Sequence, residues 1–294
     1  MERRRSQRYL LIPLLFFLLA RCAPAGPPAP GTSISITNVG SDTMVNLALA
    51  WAEAYNDLHP EVSISVTGGG SGTGIAALIN GSTHIANASR EMMEEEISEA
   101  RARGIEPIAH VVALDAIAVV VNPHNPVDGL SIPQISDVYT GQIVNWRQLG
   151  GENRPIVLAS RESNSGTYVY FLETVVRQND PDSSALFSPD ALLLPSSEII
   201  GLEVATNPNA IGYDGLGYVT PEQKTLGVAV NLASPFVAPT IETVRDGTYP
   251  IARPLYMYTA GEPTGAIKEY LDWIVSEDGQ RIVAELGFVP LSAS

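Results

Sequence analysis

The sequence predicts an α/β fold, and two observations point to it. Short apolar strands are followed by loops rich in Ser, Thr and Gly and then by amphipathic helices, and this order repeats along the chain. Of the 294 residues, 45% are hydrophobic and 17% are charged, which suits a globular chain of about two domains and excludes a disordered or fibrous one.

The first predicted strand contains Ile34 and Ile36 and runs into the loop 40–43, after which a helix places Met44, Leu47, Trp51 and Tyr55 on one face. Ser41 or Asp42 suits the N-cap of this helix.

The same order follows three more times. A second strand at 62–66 leads into the glycine-rich loop Gly68–Gly74 and a helix, and a third at 85–88 ends in Ser89 and Arg90. A fourth strand at 156–158 leads into the loop 161–167, after which a helix continues to Val175.

The loops that follow these strands are rich in the same residue types, namely Ser, Thr, Gly and Arg. In open α/β sheets ligands bind beyond the carboxyl ends of the strands, and a helix N-terminus offers free N–H groups and about half a positive charge. Each Ser or Thr taken alone is better explained as a helix cap. The glycine-rich loop, with Ser71 and Thr73 among five glycines, exceeds what a turn requires and allows the backbone to approach a ligand. Together the loops predict an anion site.

Several function classes are disfavoured by composition and motifs. The net charge of −15 opposes contact with nucleic-acid backbones and anionic lipid head groups. The glycine-rich loop lacks the Lys of a P-loop and the spacing of a dinucleotide fold. The four histidines show no metal-ligand spacing, and the one cysteine, Cys22, excludes a Cys-rich metal site within this chain. We therefore expect neither a cofactor nor a metal.

The N-terminal segment has the layout of an export signal over residues 1–21, with arginines before an apolar run at 9–20 that is too short to span a bilayer. The Pro-rich residues 22–32 predict an extended tether.

Cys22 follows the apolar run at the position where an exported bacterial lipoprotein carries its acylated residue. Arg21 stands where a small residue is usual, and residues 23–25 offer an ordinary A-x-A cleavage site instead. We expect an exported protein at the outer face of the cytoplasmic membrane or in the periplasm, anchored by lipid on Cys22.

Taken in order, the loops resemble those of the phosphate-binding subunits of bacterial phosphate ABC transporters, members of the type II periplasmic-binding-protein superfamily. The resemblance covers nearly all of residues 33–290. It is carried by Gly40–Thr43, Gly68–Gly74, Ala88–Glu91, Tyr139–Trp146, Arg161 with Ser165–Thr167, and Ile211–Tyr213.

The resemblance implies two lobes, each a mixed sheet flanked by helices, joined by a two-stranded hinge and closing on a ligand in the cleft. We expect residues 33–117 and 251–294 to form the first lobe and residues 118–250 the second.

The resemblance also implies the ligand contacts. The residues that match the family's phosphate-binding positions are Ser41, Asp42, Thr43, Ser71, Arg90, Arg161, Ser165, Gly166 and Thr167. Arg90 departs from the best-known branch of the family, which has a carboxylate there to accept a hydrogen bond from protonated phosphate. We expect Asp42, or less readily Glu162, to supply that acceptor, while Arg90 adds a donor or forms a salt bridge.

The implied function is a non-enzymatic receptor that captures inorganic phosphate and delivers it to an ABC transporter permease in the membrane. Three alternatives stay open: a receptor for sulfate, molybdate or tungstate, a phosphate sensor, and a secreted hydrolase with Ser71 or Ser165 as nucleophile. The hydrolase requires a base close to its serine, and no histidine lies near either one in sequence.

Overall fold

The computed structural model describes residues 33–291. The predicted export signal, the tether and Cys22 lie outside the described residues. In the described part of the chain no helix combines the length and the apolar character that crossing a bilayer requires.

The described residues alternate between strands and helices, as the α/β class requires. The strands are β1 (Ile34–Gly40), β2 (Val62–Thr67), β3 (Ile85–Ala88), β4 (Pro107–Val121), β5 (Gly129–Ser131), β6 (Val157–Arg161), β7 (Leu192–Leu194), β8 (Ala210–Gly215), β9 (Lys224–Thr225), β10 (Gly227–Ala229) and β11 (Ala252–Ala260). The helices are α1 (Val45–Leu58), α2 (Ser71–Ile79), α3 (Glu94–Ala102), α4 (Ile132–Tyr139), α5 (Gly166–Phe171), α6 (Ser197–Thr206), α7 (Ile241–Arg245), α8 (Gly265–Ile274) and α9 (Glu277–Glu285).

Most of the strands form one continuous mixed sheet. Its order is β2-β1-β3-β11-β4-β8-β6-β7, with β9 also paired to β4. The α/β class with a mixed sheet and flanking helices is confirmed. The two sheets that the sequence predicts share the long strand β4.

Strand β4 joins two groups of strands because it changes partner along its length. Its residues 107–116 pair antiparallel with β11, and its residues 117–121 pair antiparallel with β8. We call β1, β2, β3, β11 and residues 107–116 the first sheet half, and residues 117–121, β6, β7, β8 and β9 the second sheet half. The division into lobes at 117/118 and 250/251 stays a prediction.

The first sheet half is packed against helices from both ends of the described chain. The apolar face of α1 buries Trp51 and Tyr55, as its spacing predicts, against Tyr270 of α8. The indole nitrogen of Trp51 donates to the carbonyl of Gly279 at 2.9 Å. The terminal helices therefore return to the half that the chain builds first.

The second sheet half has an aromatic core. The rings of Phe171 and Tyr213 stack at 3.8 Å between centroids, and Tyr139 meets both edge-on. Trp146 is also buried. The segment Tyr139–Trp146 thus contributes packing residues to this core.

Candidate functional site

The residues predicted from the strand ends lie on two facing walls. Strands β1, β2 and β3 are parallel neighbours, so their carboxyl ends bring residues 41–43, Ser71 and Ser89 to one edge of the first sheet half. Arg161, at the end of β6, and residues 165–167, at the start of α5, form the opposite wall. We call the space between these walls the cleft.

Three serine hydroxyls form a buried cluster on the first wall. Oγ of Ser41 donates to Oγ of Ser89 at 3.0 Å, and Oγ of Ser71 lies 3.3 Å from the same atom. Ser71 Oγ also accepts the backbone N–H of Ser89 at 3.0 Å. Ser41 occupies the predicted N-cap position, that of the short 3-10 helix Asp42–Met44 before α1, but its side chain makes no capping bond. Its hydroxyl faces the other serines instead.

On the opposite wall Arg161 is 1% exposed. Its Nη1 donates to Oγ of Ser197 at 3.1 Å, and its Nη2 donates to the carbonyl of Pro195 at 3.0 Å. Its Nε is buried and has no hydrogen-bond partner among residues 33–291. The guanidinium therefore keeps one donor for a further acceptor.

The start of α5 lies on the same wall and is capped by its own serine. Ser165 is its N-cap, and its hydroxyl accepts the backbone N–H groups of Thr167 and Tyr168 at 3.2 and 3.4 Å. The first N–H groups of a helix have no partner within that helix, and the Ser165 cap occupies two of them, so the start of α5 contributes mainly its partial positive charge to the cleft.

Two polar pairs connect the walls. Nη2 of Arg161 lies 3.0 Å from Oδ2 of Asp42, and the same oxygen accepts the backbone N–H of Ser197 at 2.9 Å. The hydroxyls of Thr43 and Thr167 are 2.8 Å apart. Asp42 thus faces Arg161 across the cleft with Oδ2 occupied, while its side chain is 18% exposed.

The glycines at the cleft allow the walls to approach closely. A Cβ added to Gly166 would lie 2.3 Å from Oγ of Ser71 and 2.6 Å from Oγ of Ser89. Gly70 has a φ of +95°, and a Cβ there would lie 2.7 Å from the carbonyl oxygen of Asn164. Asn164 spans the walls as well, donating from Nδ2 to the carbonyl of Gly69 at 2.8 Å.

Arg90 forms a bidentate salt bridge. Both of its terminal nitrogens donate to the carboxylate of Glu96 at 2.7 Å, and Nη1 also donates to the carbonyl of Glu91 at 2.8 Å. Oε2 of Glu96 accepts the N–H of Met93 at the start of α3. The acidic run Glu94–Glu96 at the start of α3 predicts a solvated helix face. That expectation was wrong for Glu96, which is only 16% exposed because it pairs with Arg90.

Sequence reasoning missed four polar residues beside the cleft: Ser197, Asp115, Asp214 and Arg253, of which each is at most 2% exposed. Only Ser197 had a local signal, since it follows strand β7 and opens α6. The other three lie within or at the ends of apolar strands, and only the strand pairing brings them to the site.

The missed acidic residues balance the buried arginines. Burial raises the pKa of Asp115, and the guanidinium of Arg253 at 3.0 Å opposes that rise. Burial also raises the pKa of Asp214 to about 7, although the charge of Arg161, the hydroxyl of Ser197 and the N–H of Gly215 favour the ionised carboxylate. The site therefore contains two buried carboxyl groups in addition to its hydrogen-bond donors. Burial favours the neutral form of each carboxyl group, and the neighbouring arginine favours its ionised form.

The hydrogen bonds of the described histidines do not reach Ser71 or Ser165. His59 lies beside Glu61, His84 contacts Thr37, His110 contacts Thr259, and His124 contacts Asn122. Across the described residues no three His, Cys, Asp or Glu side chains are grouped as a metal site would need. The arrangement is suited to binding an oxyanion through donors that are already in place.

Comparison with known proteins agrees with this geometry. The family model of the PBP superfamily domain matches residues 25–278. The phosphate-binding protein PstS of Pseudomonas aeruginosa is 33% identical over 287 residues, which are 92% of this chain and 87% of that protein. The PstS of Bacillus subtilis is 32% identical over 303 residues, 99% of this chain and 96% of that protein.

Solved structures extend the similarity to the fold. A phosphate ABC transporter substrate-binding protein from Clostridium perfringens, solved with bound phosphate, superposes with a TM-score of 0.78 at 33% identity, covering 88% of this chain and 100% of that one. An ABC-type phosphate transport receptor from Vibrio cholerae gives a TM-score of 0.69 at 30% identity, covering 86% of this chain and 99% of that one. The predicted resemblance and the two-lobed fold are therefore confirmed, and the chain belongs to the PBP superfamily and, within it, to the family of the PstS phosphate-binding proteins.

Proposed function

We propose that this chain is a receptor that captures inorganic phosphate in the cleft and delivers it to an ABC transporter. One observation carries the proposal: a buried arginine, Arg161, faces the carboxylate of Asp42 across a cleft whose walls hold serine hydroxyls and a helix start. The similarity to known proteins supports the proposal, since the relatives are named as phosphate-binding proteins and a similar structure was solved with phosphate. These relatives are binding proteins, so the chain is a transport receptor and not an enzyme.

The donors on both walls suit a tetrahedral oxyanion. We infer that phosphate contacts the residues predicted from the sequence on these walls: Ser41, Asp42, Thr43, Ser71, Arg161, Ser165, Gly166 and Thr167. Arg161 brings a full positive charge and a buried Nε without a partner among the described residues. Hydroxyl and backbone N–H groups bind the other oxygens without adding charge.

Asp42 distinguishes phosphate from sulfate in this proposal. Phosphate at neutral pH still carries a proton and can donate a hydrogen bond to a carboxylate, whereas sulfate cannot. Oδ2 of Asp42 is already held by Arg161 and Ser197, which orients the carboxylate and leaves Oδ1 as the acceptor. Glu162 is an exposed side chain, so we assign the acceptor to Asp42.

For Arg90 we infer the second of its two expected roles, the salt bridge. The bidentate contact with Glu96 neutralises its charge, and its bond to the Glu91 carbonyl shapes the segment after Ser89. Arg90 thus supports the first wall and leaves the ligand to Arg161.

Delivery and cellular location complete the proposal. A permease in the membrane would receive phosphate when the walls separate, and contacts such as Asn164 with Gly69 would then break. The lobes at 33–117 with 251–294 and at 118–250 would move about residues near 117 and 251. Export by residues 1–21 and a lipid on Cys22 would keep the receptor at the outer face of the membrane.

The proposal is tested by isothermal titration of the purified protein, freed of bound ligand, with inorganic phosphate at pH 7. We expect a dissociation constant of about 1 μM or lower. Arg161→Met should weaken binding about 100-fold or more, because it removes a charged donor from a buried site. The matched control is Arg154→Met, since Arg154 is 47% exposed. A wild-type protein that gives no binding signal with phosphate would overturn the proposal.

A further inference from the structure

Arg253 lies beside the cleft, and neither the sequence motifs nor the proposed ligand contacts include it. It is the second residue of β11, pairs in register with Asp115 of β4, and is 2% exposed. Asp115 is fully buried. Both residues stand where β4 is about to change from the first sheet half to the second.

The guanidinium of Arg253 connects three separate elements. Its Nε and Nη2 donate to Oδ2 of Asp115 at 3.3 and 3.0 Å. Nη1 donates to the carbonyl of Ser89 on the first wall at 2.8 Å, and Nη2 donates to Oγ1 of Thr167 on the opposite wall at 2.8 Å. The ring of Tyr170 lies 5.6 Å from the guanidinium carbon. Arg253 therefore touches both walls while Asp115 holds it in place.

The contact with Thr167 determines the direction of a hydroxyl proton. An arginine can only donate, so Oγ1 of Thr167 is the acceptor in this bond. The proton of the Thr167 hydroxyl must therefore point away from Arg253, where Oγ1 of Thr43 lies 2.8 Å away in the cleft. In this structure that proton is donated to Thr43, and an oxyanion that replaced Thr43 as its acceptor would meet a donor that is already oriented.

We propose that Arg253, anchored by Asp115, is a positioning residue of the phosphate site that acts through Thr167: it directs the threonine hydroxyl into the cleft as a donor to the bound anion. This inference rests on the proposed function, because the anion is taken to be phosphate. Arg253 makes no contact with the ligand in this role. Its bond to the Ser89 carbonyl keeps the first wall in register with Thr167.

A buried ion pair that only stabilises the fold makes a different prediction. Its loss would weaken phosphate binding by the same factor whether or not residue 167 carries a hydroxyl. If Arg253 acts through Thr167, its effect on affinity must depend on that hydroxyl. A double-mutant cycle separates the two cases.

The cycle uses Arg253→Lys and Thr167→Val. Lysine keeps a positive charge beside Asp115, but its single ammonium cannot reproduce the fork that reaches Asp115, Ser89 and Thr167 together. Valine keeps the shape of threonine and removes the hydroxyl. The dissociation constant for inorganic phosphate is measured by isothermal titration for the wild type, both single variants and the double variant.

We expect Arg253→Lys to weaken phosphate binding about 10-fold in the wild-type background and less than about 2-fold in the Thr167→Val background, the size of one coupled hydrogen bond. Equal losses in the two backgrounds would overturn the inference while leaving the proposed function intact. A wild type that does not bind phosphate would overturn both.

Two further variants guard the result against a loss of folding. Arg154→Lys, at an exposed arginine, is the matched control and should leave affinity unchanged in both backgrounds. If thermal unfolding shows that Arg253→Lys does not fold, the cycle is run with the paired replacement Asp115→Asn and Arg253→Gln, which leaves no unpaired buried charge. The same dependence on Thr167 is expected, and additive losses would again overturn the inference.

Discussion

The carboxylate of Asp42 and the guanidinium of Arg161 meet across the cleft, with Oδ2 of the first 3.0 Å from Nη2 of the second. The two residues are 119 positions apart in the chain and follow strands of different sheet halves. An anion between the walls would meet a donor and an acceptor that already hold each other in place. In the proposed function, selectivity and closure therefore depend on the same pair.

Replacing the acceptor should change selectivity. We expect Asp42→Asn to weaken phosphate binding about 10- to 100-fold and to make sulfate a measurable ligand, because an amide also donates and no longer disfavours an unprotonated oxyanion. Competition titration of the two anions measures the change. Glu162→Gln is the matched control at an exposed carboxylate, and a loss of selectivity in that variant alone would assign the acceptor to Glu162 instead.

A methyl group in the cleft should prevent closure. A Cβ at Gly166 would lie 2.3 Å from Oγ of Ser71, whereas a Cβ at Gly72, in the same region, would come no closer than 3.4 Å to its nearest neighbour, Asn164. We expect Gly166→Ala to weaken phosphate binding at least about 10-fold, since one overpacked contact costs roughly 1–3 kcal/mol. Gly72→Ala should change affinity less than about 3-fold. Equal affinities for the two variants would show that the walls do not meet as described.

The salt bridge of Arg90 should matter for stability more than for binding. We expect Glu96→Gln to lower the free energy of unfolding by about 3 kcal/mol, because it leaves a guanidinium that is 6% exposed without its carboxylate. Glu99→Gln, on the same helix, breaks the exposed pair with Arg103 and should cost less than about 1 kcal/mol. Urea unfolding measures both.

Phosphate affinity decides between the two roles of Arg90. Glu96→Gln should change it less than about 3-fold. A large gain or loss in affinity would mean that Arg90 contacts the ligand directly.

The buried Asp214 should make stability depend on pH. Its pKa is raised from 3.8 to about 7 in the folded protein, so between these values the folded state binds more protons than the unfolded state. Protonation of Asp214 therefore stabilises the folded state, and this contribution to the free energy of unfolding is lost as the pH rises through 7.

Asp214→Asn removes this dependence. The difference of about three pKa units corresponds to roughly 4 kcal/mol at most. We expect the variant to gain stability relative to the wild type as the pH rises from 5 to 8, measured by urea unfolding at each pH. A constant difference across this range would mean that Asp214 keeps an ordinary pKa.

Local patterns were sufficient to predict much of the candidate site. The residues at 41–43, Ser71, Arg161 and 165–167 follow strands and precede helices, and this arrangement is visible along the chain. The parallel pairing of β1, β2 and β3 then brings the first of these loops together. For these positions the spacing of apolar residues carried the information.

The remaining partners depend on pairing between distant strands. Arg253 meets Asp115 only because β11 pairs with β4 across 138 positions of sequence, and nothing near either residue indicates it. The prediction for Glu96 was wrong for a related reason. The run of three glutamates predicts an exposed helix start, and only the turn after β3 brings Arg90 into contact with Glu96. Composition and periodicity do not contain this information.

The most direct test of the whole account is a paired titration of the ligand-free protein with inorganic phosphate and with sulfate at pH 7. Binding of phosphate at about micromolar affinity or better, with no measurable heat from sulfate, is the predicted result. Equal binding of the two anions would contradict the role of Asp42 as an acceptor, and binding of sulfate alone would contradict the proposed function itself.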